Sequence, residues 1–212
     1  MPGKDADSVW CEKISDRVYI VLAVFCICAL LSGSSIAIET PPLDIGAPVD
    51  SLKRSELYDS FNEMRHGHRH EAIDIMRPRG TPVRAVTDGV IRKLFFSVPG
   101  GVTIYEFDRT ATYCFYYAHL DHYAAGLREG MTVSRGEVIG YVGTSGDAAP
   151  SAPQLHFAIY LLGPDKRWWK GEAIDPYPIL LRAVTGAESK QVLQERGCPY
   201  GFSTSSSAAK DA

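Results

Sequence analysis

Cysteine is scarce in the part of this chain that can form a folded domain. Of five cysteines, Cys11, Cys26 and Cys28 lie in or beside an N-terminal apolar run, leaving Cys114 and Cys198. No cysteine pair with metal-ligand spacing is present, which excludes a thiolate-bound zinc ribbon or finger. A Cys114–Cys198 disulfide and a buried free thiol at Cys114 both stay open, because separation along the chain does not give a Cα distance. Excess charge is also lacking. The net charge of −3 and pI near 6.1 supply no basic field for a nucleic-acid partner. No internal repeat is evident, and the one helical segment expected is a short one over Ala187–Glu195. What the chain does have is 19 glycines and 13 prolines spacing out short apolar stretches, the pattern of a mainly β domain with many turns.

Taken in order, residues 1–17 are polar and carry Lys4, Lys13 and Arg17. Residues 18–38 are free of charge, about long enough to cross a bilayer. They read either as a transmembrane anchor or as a signal peptide with a cleavage site at Ser35-Ile36-Ala37. In both cases the basic residues keep the N-terminus in the cytoplasm and the rest is exported. Residues 39–50 are a Pro-rich tether, expected to be extended rather than packed. The domain proper is expected over 51–185, followed by a partly disordered Ser/Ala-rich tail over 186–212. Within the domain, Asp88-Gly89 breaks Val83–Leu94 with a hairpin signal, and Gln154–Leu162 is a strongly apolar strand.

Histidines fall on or beside these strands. His70 and Asp74 are four residues apart, which in a straight strand is about 13 Å. Two ligands of one Zn²⁺ each lie about 2.0–2.2 Å from it, so the pair can share a metal only if the chain bends at 71–73 or is helical. Ile73, Ile75, Pro78 and Pro82 argue against a helix, and a bent strand edge is expected. His119 follows the aromatic strand Phe115-Tyr116-Tyr117-Ala118. His156 lies two residues after Gln154, so both face one side of their strand. His66 and His68 form an alternating tract with His70, either a second ligand set or a solvated loop. His122 reads as a loop residue, and Arg92, Lys93 and Arg109 as solvated strand faces. Trp168-Trp169 either rims a groove or packs.

The order of these motifs resembles the lysostaphin-type (LytM-like) zinc peptidases. That family's His-x-Gly-x-Asp and Gly-Thr-Pro-Val are matched by His70-Glu71-Ala72-Ile73-Asp74 and Gly80-Thr81-Pro82-Val83. Its Tyr-x-His-Leu and His-Leu-His-Phe are matched by Tyr117-Ala118-His119-Leu120 and Gln154-Leu155-His156-Phe157. Gly136–Gly143 and Asp175-Pro176 extend the match to about residues 57–180. The resemblance implies a compact antiparallel β-sandwich or barrel-like LytM-type domain binding one Zn²⁺ through His70, Asp74 and His156. Two imidazoles and a carboxylate leave a fourth position for water, and zinc-bound water is then the nucleophile, with His119 accepting its proton or stabilising the developing charge. The implied function is hydrolysis of peptide cross-links in peptidoglycan stem peptides.

Two positions depart from the pattern. Ala72 replaces a glycine, so the bend must be made without positive φ there, or with strain. Gln154 replaces the second catalytic histidine; an amide can orient water or donate to an oxyanion but takes up no proton near neutral pH. This departure keeps an alternative open, a weak or inactive LytM-like domain regulating another cell-wall hydrolase. The expected partners are therefore peptidoglycan stem peptides, the membrane through residues 18–38, other wall hydrolases in the alternative reading, and no nucleic acid.

Overall fold

Alternation along one strand shows how the sheet is built. In Gln154–Leu162, the side chains of Leu155, Phe157 and Ile159 are fully buried while Gln154, His156 and Tyr160 stay partly accessible. A period of two places the first set on the core side and the second on the opposite face. The computed structural model describes residues 43–65 and 67–195, with side chains through 186. Its strands are β1 (Met64–Arg65), β2 (His68–Arg69), β3 (Ile73–Met76), β4 (Pro82–Arg84), β5 (Gly89–Ser97) and β6 (Gly101–Asp108). They continue with β7 (Tyr113–Tyr123), β8 (Thr132–Val133), β9 (Val138–Val142), β10 (Gln154–Leu162) and β11 (Gly171–Ile174), and one helix, α1 (Pro176–Glu195), follows.

Nine of the strands join one antiparallel sheet with the order β11-β10-β7-β6-β5-β8, and β1 with β2 forms a separate two-stranded ribbon. The mainly β, antiparallel expectation holds. Instead of the two sheets of a sandwich, however, a branch of β9 and β4 leaves the far end of β7. Val83, Ile139 and Val142 from that branch share one buried cluster with Ile73, Phe115, Tyr117 and Phe157.

Three expectations need correction. The Asp88-Gly89 turn does not join β4 to β5, since β4 pairs with β9 while β5 pairs with β6 and β8. The backbone between them goes to a side chain: Val86 and Thr87 N–H groups donate to the buried Glu106 carboxylate, each at 3.4 Å. The Pro-rich stretch is packed from Leu43 onward, with Ile45 and Val49 buried in the core. The C-terminal helix starts at Pro176, well before residue 187, so the domain boundary drawn at 185 falls inside it. Pro176 and Pro178 lie in its first turn, where prolines give up only N–H groups that have no intrahelical partner. Asp175 caps that turn by accepting from Tyr177 N at 2.9 Å, and Ile179, Leu180 and Val184 bury the helix against the core.

Cys114 is a buried free thiol, and Cys198 lies outside the described residues. Residues 18–38 lie outside them too, and among the described residues no helix is long and apolar enough to cross a membrane.

Glu106 makes the core sensitive to pH. Burial pushes its carboxyl up from 4.5 to about 7, against the opposing hydrogen bonds from Tyr117, Val86 and Thr87. The folded state therefore holds a proton that the unfolded chain releases above pH 4.5. Stability is fully present below that value and falls as pH rises through about 7, by up to about 3 kcal/mol. Glu106→Gln should flatten the difference between urea denaturation midpoints at pH 5 and pH 8; an unchanged difference would show that Glu106 titrates normally.

Candidate metal centre

The site is assembled on β10. His156 lies directly opposite Asp74 of β3 on one side and Ala118 of β7 on the other. Antiparallel register thus sets Asp74 beside His156, with Oδ1 3.1 Å from Nδ1. His70 reaches the pair through the bend expected at 71–73. The left-handed residue in that bend is Glu71, with φ +54°, and not Ala72. Ala72 therefore needs no glycine's freedom, and its methyl group is fully buried. The turn is held by His70 N donating to Glu63 O at 2.8 Å and Glu71 N donating to Phe61 O at 2.9 Å.

The result is a small triangle. His70 Nε2 is 3.0 Å from His156 Nδ1 and 3.2 Å from Asp74 Oδ1, closing with the 3.1 Å His156–Asp74 edge. Ligands of a tetrahedral zinc ion stand about 3.3–3.4 Å apart, given bond lengths near 2.0–2.1 Å. Three nearly equal edges of 3.0–3.2 Å therefore fit one face of such a tetrahedron. The donor chemistry fits as well. His70 Nδ1 is 3.2 Å from Ser60 O, which can only accept, so Nε2 is the bare nitrogen. Burial lowers the pKa of His156, outweighing the pull of Asp74, and favours the neutral imidazole that binds metals. For Asp74, burial acts upward, but His156, His70 and Arg65 together hold its carboxyl well below the usual range. Two lone-pair nitrogens and an anionic oxygen thus converge on one point. Among the described residues this is the one group of three or more His, Cys, Asp or Glu side chains close enough to hold a metal ion.

The face of β10 and β7 that carries His156 floors a cavity of about 440 Å³. His119 and Gln154 both line it. His119 sits where β7 changes partner, since Ala118 pairs with β10 and Leu120 with β9. Its φ of +58° makes that change of direction. Its Nδ1 donates to Ser145 O at 2.9 Å, which leaves Nε2 toward Asp147 Oδ1 at 4.0 Å. Gln154 is paired through its backbone with Met76 and bridges to Gly143.

Of the other residues singled out, His68 is exposed, and His66 lies outside the described residues. His122 is on β7 rather than in a loop, exposed, stacked on Tyr141 and paired with Asp121. Lys93 pairs with Glu129 and Arg109 with Asp88. Trp168 packs on Phe95 and Tyr105, while Trp169 is exposed. Arg65 was not anticipated. Its guanidinium contacts both His70 and Asp74. The one available signal was Gly67 in a short polar stretch, where φ +88° lets the ribbon fold Arg65 back beside His70.

An antiparallel sheet thus carries an open His/Asp/His donor set at a groove. The chain belongs to Peptidase family M23, whose model matches residues 68–176. It is 36% identical over 116 residues to the L-Ala–D-Glu endopeptidase of Bacillus subtilis, covering 52% of this chain and 34% of that protein. It is 29% identical over 150 residues to the glycyl-glycine endopeptidase ALE-1 of Staphylococcus capitis, covering 70% and 39%. The fold superposes on lytM of Ruminococcus gnavus with a TM-score of 0.54 at 32% identity, covering 69% of this chain and 61% of that one. The matched segment spans well under half the length of either curated relative.

Metal content follows from the triangle. The full chain should bind about one Zn²⁺, and His70→Ala, Asp74→Ala or His156→Ala should each remove most of it by elemental analysis. His68→Ala should leave it in place. Stoichiometric zinc in the His156→Ala protein would remove that residue from the ligand set.

Proposed function

We propose that this chain is an exported zinc metalloendopeptidase that hydrolyses peptide cross-links of peptidoglycan. The observation that carries this reading is the convergence of His70 Nε2, Asp74 Oδ1 and His156 Nδ1 at 3.0–3.2 Å in a groove that His119 also lines. Support for the substrate comes from relatives named for L-Ala–D-Glu and glycyl-glycine bonds, because D-residues and glycine bridges are peptidoglycan chemistry. Support for export comes from residues 18–38, as an anchor or a cleaved signal, with Lys4, Lys13 and Arg17 before them.

Each residue then has a role set by its surroundings. His70, Asp74 and His156 would hold the ion, which supplies Lewis-acid polarisation of a carbonyl and an acidified water. His119, with Nδ1 fixed on Ser145 O, presents a basic Nε2 to the groove and takes up the proton released on attack. The left-handed backbone at His119 aims the ring into the groove, where its centroid lies 5.6 Å from that of His156. Gln154 contributes an amide that can orient water or donate to the developing oxyanion, and it holds no proton for the leaving amine. His119 therefore does both halves of the proton work.

Gln154 also favours a second reading, in which the domain keeps its fold and metal but serves to regulate another wall hydrolase. One set of proteins separates the two. On purified peptidoglycan, His119→Ala should lose about 10²–10⁴-fold in cross-link hydrolysis while retaining zinc. Gln154→Ala should lose less, and Gln154→His should match or exceed wild type. Wild type no better than a zinc-stripped control, with activity appearing only in Gln154→His, would establish the regulatory reading instead.

A further inference from the structure

We propose that Arg65 is an internal competitor for the metal, its guanidinium and the ion being alternative partners of His70. The inference rests on the zinc assignment above. His70 Nδ1 is committed to Ser60 O, so Nε2 has a single in-plane lone pair. That lone pair is 2.9 Å from Arg65 Nη1, a group that can only donate. It cannot serve an N–H donor and a metal ion at once. Loading the site must break the Arg65–His70 bond.

The remaining contacts of Arg65 need not break. Nη1 also donates to Asp74 Oδ2 at 2.5 Å, whereas the oxygen turned toward the two histidines is Oδ1. Nη2 donates to Glu63 Oε2 at 2.9 Å, outside the donor triangle. The guanidinium thus has an outer anchorage on Glu63 and Asp74 that survives displacement from His70. It remains a fixed positive charge beside a divalent ion, which adds repulsion to the lost hydrogen bond. An arginine that merely positioned Asp74 would strengthen metal binding; the contact with His70 makes the opposite sign the expected one. Arg69 lines the same cavity and is exposed. It has no hydrogen bond or ion pair to a donor among the described residues, so it serves as a control for charge alone.

The test is a zinc titration of the metal-stripped full chain against a chromophoric chelator. Arg65→Ala should tighten zinc binding roughly 10- to 100-fold, the worth of one charge-assisted hydrogen bond. Arg65→Lys should fall between, and Arg69→Ala should change the Kd far less. Melting of the stripped proteins supplies a second readout: Arg65→Ala should melt below wild type without zinc and gain more on its addition. An unchanged or weaker Kd in Arg65→Ala, or equal tightening in Arg69→Ala, overturns the competitor role. Zinc binding in wild type with no effect of Arg65→Ala sinks this role and leaves the ligand set standing; no zinc in either protein sinks both. Peptidoglycan hydrolysis is not read, so failure of the proposed activity is a separate result.

Discussion

The pairing of β10 with β3 on one edge and β7 on the other is the constraint on which the rest of the site depends. His156 has Asp74 directly across one edge and Ala118 across the other, with His119 next along. A slip of one residue in either pairing would turn His156 or Asp74 to the opposite face of the sheet. Register is protected by the opposite face, where Ile73, Ile75, Leu155, Phe157, Phe115 and Tyr117 are fully buried. Any slip that dismantled the His70–Asp74–His156 triangle would also drive these apolar side chains into water. The core therefore enforces the geometry of the centre from the opposite face of the sheet.

Two departures from ordinary backbone complete the site, at Glu71 and His119. Left-handed conformations at non-glycine residues cost on the order of 1–3 kcal/mol each and persist where surrounding structure over-determines them. At Glu71 the over-determination comes from two backbone hydrogen bonds to Glu63 and Phe61. At His119 it comes from the N–H donating to Gly100 O at 2.8 Å and from the pairing of β7 on either side. One bend brings His70 to Asp74 and His156, and the other turns His119 into the groove.

Much of this was legible in the sequence, for identifiable reasons. The bend between His70 and Asp74 follows from strand rise and the reach of a metal, and the common face of Gln154 and His156 follows from a period of two. Family likeness supplied the order of the motifs, and the match over residues 68–176 establishes membership. Other features were hidden by their nature. Pro176 and Pro178 look like breakers unless the start of the helix is known. The pairing of β4 with β9 is a contact between segments 54 to 59 residues apart in sequence, which no local turn signal reports. Glu71 took the left-handed position because the bend needed one such residue, and the sequence does not say which. Arg65 carries no motif at all; its place depends on a turn at Gly67 and on the ribbon's register.

That ribbon has a further consequence. β1 and β2 form a sheet of two residue pairs, Met64 with Arg69 and Arg65 with His68, outside the nine-stranded sheet. So short a ladder opens at a small fraction of the free energy needed to unfold the main sheet. The wall of the groove that bears Arg65 and leads into His70 therefore rests on this short ladder, while His156, Asp74 and His119 lie on strands of the nine-stranded sheet. Parting those two pairs would free the groove's border without touching the pairings of β10 with β3 and β7 that hold its floor.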